Sequence, residues 1–304
     1  MNKFKKIIIL LILVLSLTGC AKNLTDDKNN VVKIDSTGQN LVENILCQPT
    51  DEEAIKLYEE NGVDLKDLPK CTEFHITSGG YEGIWTTVFV KPLAWLIIKI
   101  GQLVNNYGLS IIIITLALRL IMMPVTKKTA MQSENMKSAR PELERLEAKY
   151  RDRNSQEEMM MKSQEMLAIY KKYKINPMSG CIFALIQIPL FFAFYESMNR
   201  LPVIFEGEFL GFNLGMSPLM ALKNGQWQYL VLVILVVLVT YFSFKLNKTA
   251  SMNAEQDKSM ALTTNIMVVF IGITSFSIST SIALYWIFNS GFTIIQNLLV
   301  KRGK

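Results

Sequence analysis

Ile111-Ile112-Ile113-Ile114-Thr115-Leu116-Ala117-Leu118-Arg119-Leu120-Ile121-Met122-Met123-Pro124 sets a guanidinium inside an otherwise apolar run. The run belongs to Leu109–Val125, and about 20 apolar helical residues cross the hydrocarbon of a bilayer. An arginine within such a span costs about 2.5–3.5 kcal/mol even on permissive scales, so it belongs where water or a partner meets it. Arg119 is read as the one ionisable side chain inside a span, with no acidic residue there to pair with it. It marks a functional site: a polar, partly hydrated cavity, positive in sign and reachable from the cytoplasm. Snorkelling toward the near interface is the plainer alternative. Thr115 precedes Arg119 by one helical turn and shares its face. Gln187, Asn289 and Gln296 are further candidates for the cavity wall, although polar residues also stitch membrane helices together.

The rest of the composition agrees with a membrane setting. Half of the 304 residues are hydrophobic and cluster in long runs. Besides Leu109–Val125, three stretches are long enough to cross: Cys181–Met198, Trp227–Phe244 and Ala261–Val300. The last crosses twice, since its uncharged middle, Thr274–Ser281, is rich in small polar residues and suits a tight hairpin. The expected spans are therefore 109–126, 180–199, 227–245, 261–276 and 281–300. The net charge of +6 resides in Lys and Arg beside these spans, so it reads as topological and gives no sign of sequence-specific nucleic-acid binding.

Lys3, Lys5 and Lys6 precede the short apolar run Ile7–Leu17, the pattern of a signal peptide over residues 1–19. It ends in Leu17-Thr18-Gly19-Cys20, which resembles the lipobox where bacterial lipoproteins are lipidated on cysteine and cleaved before it. A lipidated Cys20 lies outside, and five crossings then bring the C-terminus into the cytoplasm. The charges give the same orientation. Lys127-Lys128, Lys245, Lys248 and Lys301-Arg302-Gly303-Lys304 fall on the inner side.

Residues 20–80 read as a polar, lipid-anchored tether with one short helix over Asp51–Asn61, too small for a substantial core. Cys47 and Cys71 lie here and read equally as a disulfide or as two free thiols. His75 has no second ligand or catalytic partner in view. Over residues 81–107 the stripe Trp85, Phe89, Leu93, Leu96, Ile100, Leu103 and Tyr107 predicts an amphipathic helix on the outer leaflet. Its rival is an additional span, which would invert the topology. Between the first two spans, residues 127–178 predict a cytoplasmic helical hairpin. Pro141 opens a helix bearing Leu143, Leu146 and Tyr150, the break falls near Asp152–Ser155, and a second helix over Gln156–Tyr173 carries Met159, Met166, Leu167 and Tyr170. The methionines suit either varied apolar clients or packing within the hairpin.

From about residue 80 onward the chain resembles the YidC/Oxa insertase family, and its lipidated start is similar to the Gram-positive members. The resemblance rests on three blocks in order: Thr115–Arg119 running into Pro124 and Lys127; Tyr170–Pro177 leading into Gln187–Tyr195; and Leu284-Tyr285-Trp286 followed by Asn289 and Gln296. The family's usual Pro and Gly before Leu-Tyr-Trp are replaced by Ser277–Ile282, a departure that touches the outer hairpin. The resemblance implies an all-α membrane protein of the plasma membrane, with five transmembrane helices around a groove open to the cytoplasm. Arg119 would attract acidic or polar client stretches, with Thr115 and Trp286 at client-contacting positions. Nascent membrane proteins would be the clients, the Sec translocon and the ribosome potential partners, a monomer the working unit, and no cofactor is implied. No phosphate-binding loop is present in the sequence, so the energy must come from client partitioning and the membrane potential.

A small secondary transporter or channel with Arg119 in its pathway is the main alternative. It would ordinarily show an internal repeat and more spans. A lipoprotein receptor would carry its working part outside, and a membrane enzyme would gather His, Asp or Glu within the spans.

Overall fold

The structure, a computed structural model, describes residues 21–151, 155–176, 179–247 and 254–302. The expectations for the signal peptide 1–19, for lipidated Cys20 and for the turn at 152–154 fall outside those residues. The described chain is mostly helical. In order come α1 (Glu52–Glu60), α2 (Gly83–Val104), α3 (Tyr107–Lys149), α4 (Gln156–Lys172), α5 (Ser179–Asn199), α6 (Pro202–Phe205), α7 (Pro218–Lys223), α8 (Leu230–Asn247), α9 (Ala254–Thr274) and α10 (Thr280–Arg302). Between α6 and α7, β1 (Glu208–Phe209) pairs antiparallel with β2 (Phe212–Asn213).

Local chemistry explains several helix ends. Asp51 caps α1 by accepting from the Ala54 amide, and Ser155 with Glu158 forms a capping box at the start of α4. Asn105 closes α2 in the left-handed conformation, which an Asn adopts more readily than most residues.

Each expected span falls on a helix: α3, α5, α8, α9 and α10. Among the described residues, Tyr107–Lys149, Trp227–Leu246 and Thr280–Val300 are long and apolar enough to cross a membrane, with Ala261–Thr274 a shorter apolar stretch. On α9, Leu262, Ile266, Met267, Val269, Phe270 and Ile273 are all exposed. In water that surface would drive aggregation; against lipid it is solvated. The chain is a multi-pass membrane protein.

Gly83–Val104 also meets the length and hydropathy of a span. The stripe read from its sequence is divided: Trp85 and Leu93 are buried and Ile100 packs on the core, whereas Phe89, Leu96 and Leu103 are exposed, and Val90, Lys91, Ala94, Ile97, Ile98 and Gly101 complete the buried face. A π-helical turn over Thr86–Val90 inserts a residue and rotates the faces, so a stripe of constant period does not stay on one side of the helix.

The chain divides into two compact units. The first comprises residues 1–118, 185–236 and 273–288, the second 119–184, 237–272 and 289–304. In the first, α2 contributes Leu93, Ala94, Ile97 and Ile98 to a core with Ile111, Ile114, Phe194, Met198, Leu284 and Tyr285.

The tether expected before residue 80 has a core of its own. Leu24, Val32, Ile34, Leu41, Val42, Ile45, Ala54 and Tyr58 gather around Phe205. Asp26-Asp27-Lys28-Asn29-Asn30 is a closed turn in which the Asp26 carboxylate accepts from the Lys28 and Asn30 amides. Cys47 and Cys71 form a disulfide, with their Cα atoms 4.9 Å apart. Phe205, distant in sequence, completes the core, and the bridge within the segment ties together two of its stretches.

In the second unit, Pro141 does not open a helix; it lies inside the 43-residue α3. Met136, Ala139 and Leu143 form a stripe that passes across the proline and packs with Met166, Ile169, Tyr170 and Tyr173 of the α4 region and with Ile175. That packing carries the helix through a position where one backbone hydrogen bond is lost. Of the residues predicted for the inner face of α4, Met166 and Tyr170 join this core, whereas Met159 and Leu167 are exposed.

Candidate functional site

In the second unit Arg119 is 5% exposed, and its Nε donates to the Asn289 side-chain oxygen at 2.6 Å. Two further turns along both helices, Gln296 Nε2 donates to Thr126 Oγ1 at 2.6 Å and to the Met123 carbonyl at 3.3 Å. Three of the residues proposed from sequence, Arg119, Asn289 and Gln296, thus make polar links between α3 and α10. Around them Leu120, Ile121, Ile295 and Leu299 are exposed and apolar.

In the first unit the Thr115 hydroxyl donates to the Ile111 carbonyl at 2.7 Å and is buried. Gln187 donates to the Tyr285 hydroxyl at 3.3 Å. Trp286 stands edge-on to Phe191, ring centroids 5.8 Å apart. Phe191 also meets Tyr285, which in turn lies 4.7 Å from Phe194. Gln187 and Trp286 therefore belong to one aromatic-lined patch on α5 and α10.

Arg119 is not the only ionisable side chain in the spans. Glu196 of α5 is 2% exposed, and Arg200, just past that helix, is 1% exposed. Arg200 Nη1 meets Glu196 Oε1 at 3.2 Å, Nη2 meets Glu82 Oε2 at 2.5 Å, and Nε donates to the Asn44 carbonyl at 2.5 Å. Lys91, fully buried, reaches Glu82 Oε1 at 2.8 Å and the Ser78 and Gly80 carbonyls at 2.7 Å each. Trp85 Nε1 donates to the other Glu196 oxygen at 2.8 Å.

Burial opposes ionisation of Glu82. The hydrogen bonds and charges of Lys91 and Arg200 together outweigh it and hold the carboxyl below the usual carboxylate range. Two cations and two carboxylates cancel, as buried charges must. The network ties the start of α2 to the end of α5 and to the chain before residue 80. The sequence offers one clue to it, Glu196 and Arg200 four residues apart, a spacing that pairs on a helix.

The family described as 60Kd inner membrane protein matches residues 99–304. The chain belongs to this family, the YidC/Oxa insertases. Similar relatives include a protein named Membrane protein insertase YidC from Oceanobacillus iheyensis, 35% identical over 77% of this chain and 91% of that protein. Another is the Membrane protein insertase MisCA of Bacillus subtilis, 32% identical over 71% of this chain and 79% of its own length. A solved structure titled "Active YidC insertase crystal structure with the first transmembrane domain resolved" aligns with a TM-score of 0.48 at 23% identity, covering 74% of this chain and 48% of that one.

In this YidC/Oxa member the hairpin that leads into α10, without the Pro and Gly, is pinned by other means. The Thr280 amide and hydroxyl both donate to the Met216 carbonyl at 3.0 Å, and the Ser281 amide donates to the Leu214 carbonyl at 2.9 Å. Ser279 and Ser281 share a hydroxyl hydrogen bond. Small hydroxylated residues thus supply by side-chain bonding what a rigid turn dipeptide would supply by backbone restriction.

Proposed function

We propose that this chain inserts membrane proteins, and helps fold them, by offering their polar stretches a positively charged, hydrated groove at membrane depth. Membership of the YidC/Oxa family supports the activity, as do the insertase names of its relatives. The observation that carries the site is Arg119, a guanidinium among exposed apolar neighbours on α3 and oriented by Asn289. Client-contacting positions are Arg119, Asn289 and Gln296 in the second unit and Thr115, Gln187 and Trp286 in the first. A peptide group moved into hydrocarbon without a partner costs several kcal/mol. A polar path lowers that cost while the client's apolar segment partitions into lipid, with no covalent chemistry and no cofactor.

The same reading holds Cys20 lipidated outside, the C-terminus in the cytoplasm and Gly83–Val104 along the outer leaflet. The hairpin of residues 127–178 lies in the cytoplasm, where it captures clients and meets the ribosome or the Sec translocon. The working unit is a monomer in the plasma membrane.

The test is reconstitution of the purified chain into liposomes with a single- or double-span client, scored by protease protection. Insertion should exceed that of protein-free liposomes. Arg119→Ala should impair most the clients whose translocated segments carry charge. Equal insertion with and without the protein would overturn the proposal.

A further inference from the structure

Within the first unit a cavity of about 430 Å³ opens beside Ala21, the residue that follows the lipobox cysteine in sequence. Its wall combines the Lys33, Asp35 and Asn40 side chains with apolar surface from Met220 and Ile278. Neither the Lys33 ammonium nor the Asn40 amide donates to any described residue. The cavity floor is firm: the loop carrying Gly38 adopts φ +73° and lies so close to Met220 that a Cβ there would come within 3.2 Å of its side chain. Tyr195 of α5 and Ile282 of α10 complete the wall, so the cavity runs from the folded N-terminal region to the ends of two helices assigned to the membrane.

We propose that this cavity seats the polar junction of the chain's own processed N-terminus: the α-ammonium of Cys20 and the glyceryl ester group carried on its sulfur. The proposal rests on the lipobox reading. Hydrolysis of the Gly19–Cys20 bond exposes the Cys20 amine, and the Cα of residue 20 then stands about 3.8 Å from that of Ala21, itself in the wall. A ligand tethered at that distance has a millimolar or higher local concentration without any other molecule having to arrive.

The chemistry is complementary. The Asp35 carboxylate in the wall supplies the charge that an ammonium there would pair with. Lys33 and Asn40 offer donors to the ester carbonyls. Met220 and Ile278 cover the first methylenes, from which the acyl chains leave along α5 and α10 toward the bilayer. The lipid would then fix where the N-terminal region sits on the first unit, a role beyond merely holding the chain at the membrane.

The experiment uses the full chain produced in a bacterium that processes lipoproteins. Mass spectrometry of the N-terminal peptide first establishes whether Cys20 is cleaved and diacylglyceryl-modified. A photoreactive benzoylphenylalanine is then placed at Met220, at Ile278 in a second variant, and at the exposed Leu210 as control. Ultraviolet capture of the lipidated Cys20 peptide should be about tenfold greater from position 220 or 278 than from 210, reflecting the tether. Lipidated protein that cross-links there only to free phospholipid, or equally at all three positions, overturns the seating and leaves the lipobox reading standing. An unmodified Cys20 overturns both.

Discussion

Removing the Arg200 guanidinium should damage the first unit more than any loss of apolar packing at that position would. Arg200→Met keeps most of the side-chain length but deletes the contacts to Glu196, Glu82 and the Asn44 carbonyl. Glu196, 2% exposed, then retains only the Trp85 indole as a donor in the network described here. Stripping one partner from a buried ion pair costs about 3–5 kcal/mol, because the remaining charge is left without compensation. The penalty should therefore shrink when the stranded charge is removed too. Arg200→Met combined with Glu196→Gln should recover at least about 1 kcal/mol relative to the sum of the single changes, as interacting neighbours do. Arg200→Lys should fall between, since an ammonium keeps the charge and loses the fork that reaches two carboxylates.

The assay is denaturant unfolding in detergent, followed by tryptophan fluorescence, with Trp85 a direct reporter because its indole is hydrogen-bonded inside the network. An Arg200→Met protein within about 0.5 kcal/mol of the parent, the ordinary range for surface substitutions, would refute the reasoning. So would strict additivity in the double variant. Either result would mean that the four charges are solvated and not mutually compensating.

Other consequences follow from the same geometry. Cys47 and Cys71 are 24 residues apart, and opening a loop of that size by reduction should cost about 3.5 kcal/mol in the chain-entropy account, seen as a lower unfolding midpoint for Cys71→Ser. Glu82 is held below its ordinary value of 4.5. The stability it lends is in place above pH 4.5 and fades as pH falls through its lower folded-state value, and Glu82→Gln should flatten that part of a pH-stability profile. In the hairpin, Glu142 accepts from Lys172 and Tyr173, and Glu165 from Lys149 and Tyr150. These exposed clamps should weaken near 1 M salt, where the Debye length is about 3 Å, raising amide exchange in α4; salt-independent exchange would leave the apolar face as its only support.

What could be read from the sequence follows the range of the forces involved. Spans declare themselves through continuous apolar runs, and Arg119 stands out because its neighbours in sequence are its neighbours in space. The buried network is assembled from residues 44, 78–91 and 196–200, so no local window contains it. In sequence Lys91 stands among apolar residues of α2, and Glu196 and Arg200 stand near one end of α5, with nothing local to bring Lys91 to that pair. The N-terminal region misled for a related reason: its apolar residues are spread between polar ones, and they gather into a core around Phe205, far off in sequence. On α2 the difficulty was one of register. The π-turn over Thr86–Val90, between Gly83 and Pro92, adds a residue to the repeat and so moves a stripe of constant period off the buried face.

Arg200 and Arg119 are both buried, and the partners they are seen to meet differ: carboxylates for Arg200 and the Asn289 amide for Arg119. Arg200 is bound by two carboxylates, within a cluster whose charges sum to zero, so its field at any distance is small and its contribution lies in joining three chain segments. Arg119 donates to the Asn289 amide oxygen, a neutral group that orients the guanidinium and adds no counter-charge of its own. In the function proposed above Arg119 attracts acidic chain, whereas Arg200 braces its surroundings. Substitution at Arg200 should therefore lower stability for all clients alike. Asn289→Leu removes one neutral acceptor from the buried Arg119, so it should lower the melting point less than Arg200→Met does and shift client selectivity. Loss of selectivity at Arg200 with stability intact, or the converse at Asn289, would show that these roles are misassigned.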